Sequence, residues 1–508
     1  MENKKLTKRN LIGFSIGTFG RDAATQGLFV NQIMNFVYFT KVLSVSQFAV
    51  LSVLLVVFKV FDAINDPVMG NIIDATKTRW GKFKPWIFLG MIGTSAVILA
   101  SFCNNLNGWA YVAFFGIMYF MFSIVFTMND AGYWGMIPSL AKSSEDRNKL
   151  TSTTALFANF GGIVAGILIP ILTTGNLAIG GSSVTAYAWI SVIFVILFII
   201  FQSITLICVK EDKESKDYQS EEKEKVSFKT IFNVFKNNDQ FRWISIIYLL
   251  TQIVPNAAIT FFIYFQYGYQ GILTTLFYVF STIASLLMYV LYPSISKKKK
   301  RGDLLKLATI SAIVGYMLVI LACIIIPKDY GIIVIPIVNV AVTLQFLVVA
   351  LCNFFVGFAS TTFYLVLMIC LANTTEYNDL KTGKRMEGII FSTRAFLVQF
   401  GQAIATFFIM IFYMLIGINE QTDAIANLEQ QASMGLITGE EKMILIEEII
   451  NSVSTAKCNA LLILITVVPM LLLISSYILY KKKYIIDEKY FDDMIKQINA
   501  KKVGESNV

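Results

Sequence analysis

An all-α membrane protein with twelve transmembrane helices in two halves of six is the fold class this sequence predicts. Three observations predict it. Windows of about 20 apolar residues, the length that crosses a bilayer, recur along the chain. Connectors rich in Lys and Arg alternate with connectors that hold almost none. One long charged run, Lys210 to Lys229, falls after the sixth window and before the seventh. The composition agrees: 56% of the 508 residues are hydrophobic and only 15% are charged, against roughly 25% in a soluble domain. Mean hydropathy is +0.66.

The first window, near 11–38, follows a basic stretch, Met1 to Asn10, that runs into it without a small-residue cleavage site; it reads as a span, not a removable signal. The second, 45–73, contains Phe61-Asp-Ala-Ile-Asn-Asp66-Pro67, where Asp66-Pro67 predicts a local break that would free backbone carbonyls. Windows near 86–103, 109–136, 150–174 and 186–209 complete the first half. After the linker come 241–268, 271–294, 304–326, 345–373, 387–417 and 458–480. The apolar run from Gly331 to Ala372 is too long for one span, and a thirteenth crossing would put the tail outside, against the charges of Lys481 to Lys483. Residues 331–344 are therefore expected to extend the tenth helix outward. Within an outer segment near 419–457, Thr438-Gly-Glu-Glu441 has the form of a capping box, and Met443, Ile446 and Ile450 repeat at helical spacing. A short amphipathic helix covering the outer face is expected there.

The predicted organisation is thus an N-terminal half, 1–209, a charged cytoplasmic linker, 210–229, a C-terminal half, 230–480, and a cytoplasmic tail, 481–508. Lys and Arg concentrate in alternate connectors, so the positive-inside rule places both termini in the cytoplasm. The net charge of +9 belongs to loops facing an anionic leaflet and implies no nucleic-acid partner.

Histidine is absent, which removes imidazole from any relay or metal-ligand scheme. The six cysteines, Cys103, Cys208, Cys323, Cys352, Cys370 and Cys458, stand singly in apolar runs, so neither disulfides nor a zinc site is indicated. Charges inside the spans are the informative residues: Arg21 and Asp22 in the first, Lys59, Asp62 and Asp66 in the second, Asp130 in the fourth. A charge at helix-centre depth costs at least ~2.5–3.5 kcal/mol on insertion scales, so such residues mark transport or relay sites. Asp22 lies thirteen residues after Arg9, Asp62 twelve before Asp74, Asp130 twelve before Lys142, and Gln399 fourteen after Arg385. At ~1.5 Å per residue all four fall about 18–21 Å from the inner loops, near the midplane where transporters hold their cargo.

Asp62 and Asp66 share a helix face with Lys59 one turn earlier, and Thr127 precedes Asp130 by three residues. Carboxylates and a hydroxyl are hard oxygen donors, suited to Na⁺, Li⁺ or H⁺. Acids outnumber bases at this depth, which favours a cation site over a purely structural ion-pair network with Lys59 and Arg21. Trp134, four residues after Asp130, could be an interfacial anchor. Beside two carboxylates it fits a sugar site better, with acids accepting from hydroxyl pairs and the ring covering the C–H face.

At these residues the chain resembles the glycoside–pentoside–hexuronide:cation symporters of the major facilitator superfamily, the group that includes the melibiose carrier. The resemblance runs from Leu11 to the tail through Gly20-Arg21-Asp22, Asp62-Ala-Ile-Asn-Asp-Pro67-Val-Met-Gly70, Arg79-Trp-Gly-Lys-Phe-Lys-Pro-Trp86, Asp130-Ala-Gly-Tyr-Trp134, Gly401-Gln-Ala403, Tyr480-Lys-Lys-Lys-Tyr484 and Asp487-Glu-Lys-Tyr490. Gly70, Asp74, Arg79 and Gly81 also fit the superfamily's loop signature between spans two and three, read there as a cytoplasmic gate. The resemblance implies the major facilitator fold, a cation site from Asp62, Asp66, Thr127 and Asp130, and a sugar site from Arg21, Asp22, Asp130 and Trp134. Tyr364 falls where the melibiose carrier has an aromatic residue. Two positions depart: Ala155 stands where that carrier has a sugar-contacting arginine, and Val398-Gln399 where the family commonly has a lysine. Losing both cations favours a neutral glycoside over a hexuronide, unless Arg394 compensates.

The expected function is cation-coupled symport of a sugar or glycoside in the cell membrane. The expected partners are that solute, a coupling cation (Na⁺, Li⁺ or H⁺) and the bilayer, with no other cofactor and a functional monomer. One alternative is a symporter of a non-sugar solute or lysolipid on the same fold. Another is an intramembrane Mg²⁺-dependent prenyl or phosphoalcohol transferase using the Asp-x-x-x-Asp pair, although that chemistry needs a second acidic cluster and basic phosphate ligands. No Gly-x-x-x-x-Gly-Lys-Ser/Thr loop supports ATP-driven transport.

Overall fold

In a computed structural model the described residues are 6–141, 143–210, 228–254, 256–335, 340–383 and 387–505. They form two compact units. Among the described residues eleven helical stretches are long and apolar enough to cross a membrane. The first expected span is not counted among them because it is built in three pieces.

The first unit comprises Met1–Glu224, Gly268–Thr275 and Gly417–Val453. Its opening span runs as α1 (Lys8–Asp22), a π-helical stretch (Ala23–Val30) and α2 (Asn31–Thr40). Such wide turns inside a span often accompany functional sites, and this one begins immediately after Asp22. There follow α3 (Val45–Ala75), α4 (Lys84–Phe102), α5 (Gly108–Gly135), the single turn α6 (Ile137–Leu140), α7 (Ser144–Thr173) and α8 (Ser183–Cys208). Helix α1 packs against α7 and α8, while α5 packs against both α3 and α4. The closeness of α1 to α8 depends on Gly20, where a Cβ would meet the Leu197 carbonyl oxygen at 2.6 Å. Aromatic packing joins the elements, with Phe29 stacked on Phe122 at 3.9 Å and Phe102 on Tyr187 at 5.7 Å.

The second unit comprises Lys225–Tyr267, Leu276–Ile416 and Ser454–Val508. Its helices are α9 (Phe228–Asn237), α10 (Asp239–Gln252), α11 (Asn256–Tyr267), the body of α12 (Gly271–Ile295), α13 (Arg301–Ile325), α14 (Leu344–Thr382), α15 (Glu387–Ile416), α18 (Thr455–Lys483) and α19 (Glu488–Glu505). The core gathers Phe241, Ile244, Tyr248, Phe363, Leu367, Tyr480 and Tyr484. The tail docks on this unit: the backbone N–H of Arg301 donates to Glu488 at 2.7 Å, and its side chain pairs with the same carboxylate at 3.0 Å.

Several sequence expectations need correction. Residues 331–344 do not extend a helix: Ile333–Ile335 (β1) pairs antiparallel with Val340–Val342 (β2), and α14 starts at Leu344 behind the Thr343 cap. The Ile/Val-rich run suits extended backbone, where branched side chains keep their rotamers. Helix α3 passes through Asp66-Pro67 without a break; one missing donor is tolerated when the hydrogen bonds around it hold. The span expected at 241–268 is present as one crossing, Asp239–Tyr267, described as α10 and α11 on either side of Pro255, which lies outside the described residues. The outer segment holds two helices, α16 (Asn419–Ser433) and α17 (Gly439–Ser452), where one was expected. The Thr438–Glu441 capping box is present at the start of α17. Most of the expected linker, 211–227, lies outside the described residues.

Candidate functional site

The charged residues of the first unit assemble along α1, α3 and α5. Arg21, at the end of α1, is 1% exposed. Its Nη2 lies 2.9 Å from Asp22 Oδ2, its Nε donates to the same carboxylate at 3.0 Å, and its Nη1 is 3.1 Å from Asp130 Oδ1. Trp134 Nε1–H donates to Asp130 at 3.0 Å. The guanidinium also lies over the rings of Tyr133 and Trp134, at 4.9 and 5.5 Å. Arg21, Asp22, Asp130 and Trp134 are thus brought together. The Nη1 atom is buried, and its approach to Asp130 lacks hydrogen-bond alignment. Asp130 keeps 41% of its side chain exposed and can bond an incoming group.

One turn at a time, α5 matches α3. The Ser123 hydroxyl donates to Asp62, and the Thr127 hydroxyl donates to Asp66 at 3.0 Å. Both pairs are spaced i,i+4 on their own helix, so the register that sets one sets the other. Asn65 reinforces it, donating to the Ser123 carbonyl at 3.1 Å. Lys59 pairs with Asp62 at 3.6 Å and lies 5.7 Å from the Tyr119 ring centre. Asp62, Asp130 and Lys59 all lie within electrostatic range of Asp66.

The four proposed cation ligands do not close into one cage. Among the described residues no three of His, Cys, Asp and Glu could hold a metal ion. The reason is the placement of the two bases: Arg21 draws Asp130 toward Asp22, and Lys59 occupies Asp62. Asp66 alone of the four carboxylates is bonded to a hydroxyl and to neither base, so its charge is the one left to balance.

Two candidate residues belong to the second unit. Tyr364, on α14, accepts from Arg394 Nη2 at 3.3 Å, with the guanidinium 5.9 Å from its ring centre. Gln399 is partly buried on α15. Arg394, weighed as a compensating cation, is thus engaged by Tyr364. Ala155, on α7, is partly buried.

Sequence reasoning missed Ser123 and the buried amide pair Asn129–Gln202, which exchanges two hydrogen bonds of 2.8 and 2.9 Å and ties α5 to α8. The signal for Ser123 was available: it stands four residues before Thr127 as Asp62 stands four before Asp66.

A set of helices long and apolar enough to cross a membrane, with charged residues buried inside them, defines a multi-pass integral membrane protein. The sequence pattern of the MFS/sugar transport protein family matches residues 14–439, and the chain belongs to that family. The lactose permease of Leuconostoc lactis is 25% identical over 406 residues, covering 76% of this chain and 59% of that protein. The lactose permease of Lactobacillus delbrueckii subsp. bulgaricus is 28% identical over 434 residues, covering 82% and 64%. The chain therefore matches over less than two thirds of these relatives' length. Among solved structures, a bacterial homologue of the human lysosomal transporter Spinster, inward-facing and unoccupied, aligns with a TM-score of 0.53 at 12% identity, covering 96% of this chain and 97% of that one. At that identity the likeness is one of fold.

Proposed function

We propose that this protein is a secondary active transporter of the cell membrane, carrying a neutral sugar or glycoside together with a cation by alternating access. The observation that carries the reading is the partition of charge: Arg21 neutralises Asp22 and Asp130, Lys59 neutralises Asp62, and Asp66 remains for a mobile cation. Solute hydroxyls would bond to Asp130 and Asp22, with Arg21 holding both carboxylates in place and Trp134 against the apolar face of the sugar ring. Tyr364 and Gln399 are proposed as further solute contacts. Asp66, with Thr127, Asp62 and Asp130 around it, would take Na⁺, Li⁺ or H⁺. Filling it would relieve repulsion among the carboxylates and so favour solute binding, which is the coupling a symporter needs. Lactose heads the solutes to test because the relatives named above are lactose permeases.

Uptake into proteoliposomes, with Na⁺ and proton gradients imposed separately and a panel of neutral and acidic sugars offered, tests the proposal. Concentrative uptake of a neutral sugar under one gradient is expected. Uptake of no sugar under either gradient would overturn it.

A further inference from the structure

At the inner end of the first unit, between the start of α4 and the end of α8, a crevice of about 630 Å³ is lined by Arg79, Trp80, Lys84, Phe88, Ser203, Leu206, Ile207 and Lys210. Three of the eight are cations, and no carboxylate lines it among the described residues. The charge pattern puts this end at the cytoplasmic surface, where the leaflet is anionic. The crevice is also open to the bilayer side: Ile207 is 74% exposed and Trp80 61%. Below it the same two helices present exposed apolar side chains, Leu89 and Ile92 on α4 and Ile196 and Ile200 on α8. A basic basin therefore sits at the head of an apolar trough, with a tryptophan at the membrane–water level between them.

We propose that this crevice is a binding site for an anionic phospholipid. The phosphodiester would sit among Lys84, Lys210 and Arg79, with the Ser203 hydroxyl as a further donor, and the acyl chains would lie along Phe88, Leu206 and Ile207. A free phosphate would use only the basin. A zwitterionic lipid would bring its own ammonium against three fixed cations. The fit is thus to a lipid with net negative charge. Lys84 also reaches across the crevice to donate to the Leu206 carbonyl at 2.8 Å, so a headgroup bonded to Lys84 would brace α4 against α8.

The test uses the full-length protein, delipidated in detergent and titrated with dioleoyl phosphatidylglycerol, with dioleoyl phosphatidylcholine, or with inorganic phosphate. Binding is read by native mass spectrometry and thermal protection. Wild type should bind phosphatidylglycerol saturably and gain no protection from phosphatidylcholine or phosphate. Lys84→Gln with Lys210→Gln should weaken that binding roughly thirtyfold, about fivefold per cation removed. Lys297→Gln with Lys299→Gln, in a basic loop outside the crevice, should leave it unchanged. Should the first pair fail to fold, Lys210→Gln alone, which spares the Lys84 bond, should still weaken binding about fivefold. Equal losses in the crevice and loop variants would mean diffuse attraction and overturn the proposal. Equal protection by phosphate would overturn the lipid as occupant, and unchanged phosphatidylglycerol affinity in Lys210→Gln would remove the site.

Discussion

Lys442 Nζ lies 3.1 Å from both carboxylate oxygens of Glu429, and neither side chain has any exposed surface. The pair joins α17 to α16, and every remaining polar position is filled: Lys442 donates to the Gly181 carbonyl at 2.8 Å, and Glu429 accepts from the Ser183 N–H and hydroxyl at 2.6 and 3.0 Å. The segment 417–453 leaves and re-enters the chain between helices of the second unit, yet it packs as part of the first. This pair holds it there.

Removing one partner of such a pair leaves a buried charge uncompensated. Lys442→Met should destabilise the protein by about 3–5 kcal/mol, read as a lower unfolding temperature in detergent. Lys442→Met combined with Glu429→Leu should recover much of the loss. A single variant as stable as wild type would mean that water reaches Glu429.

Asp423, on α16, gives a pH dependence with a definite sign. Burial pushes its carboxyl up to about 6, opposed by a bond from the Leu43 backbone N–H. Its Oδ1 is buried without a partner. The folded state then holds the proton more tightly than the unfolded chain does, and stability falls as pH rises from about 4 through about 6. Asp423→Asn cannot ionise. Its unfolding temperature should match wild type near pH 4 and exceed it at pH 7, and a difference that is the same at both pH values would count against this account.

For the solute, Asp22 is the informative position. Asp22→Ala removes a carboxylate that meets both Arg21 and the proposed solute, and solute binding should weaken by ~2–4 kcal/mol. Cation binding, measured separately by calorimetry, should persist. Solute affinity within twofold of wild type would place the solute elsewhere.

For the cation, Asp66→Asn keeps the shape of the site and the Thr127 contact while removing the one charge no base neutralises. Gradient-driven accumulation should disappear, while counterflow exchange of solute continues. Accumulation at the wild-type level would exclude Asp66 from coupling.

The spans and the meeting of Arg21, Asp22, Asp130 and Trp134 were legible in the sequence because membrane length, intramembrane charge and residue counts from charged flanks are all one-dimensional signals. The loss of regular helix after Asp22 was not, because Ala-Ala-Thr-Gln-Gly has no proline to announce it. The pairing of β1 with β2 was missed for a different reason: a short apolar β-branched run satisfies both helix and strand templates. The Glu429–Lys442 pair escaped because partners at i,i+13 on two helices share no periodicity. Most consequential was the division of the carboxylates between Arg21 and Lys59. Counting depth showed that acids and bases were level, but which base takes which acid depends on rotation about each helix axis, and only the packed structure sets that.

That division makes Lys59 the residue that tunes the cation site. Its ammonium lies 3.6 Å from Asp62, whose neighbour one turn on is Asp66, the proposed cation ligand. At this range a fixed positive charge competes directly with a mobile one, and partial exposure of the pair reduces the net effect to ~1–2 kcal/mol. Lys59→Gln should therefore tighten Na⁺ or Li⁺ binding some five- to thirtyfold, or create Na⁺ dependence where wild type shows none. Ser123 and Thr127 would remain to orient the two carboxylates, so the geometry should survive the substitution. Titrating Na⁺ and Li⁺ protection against thermal unfolding in wild type and Lys59→Gln measures the shift. Affinity unchanged or weaker in the variant would mean that Lys59 supports the helix packing around Tyr119 and does not compete for the cation site.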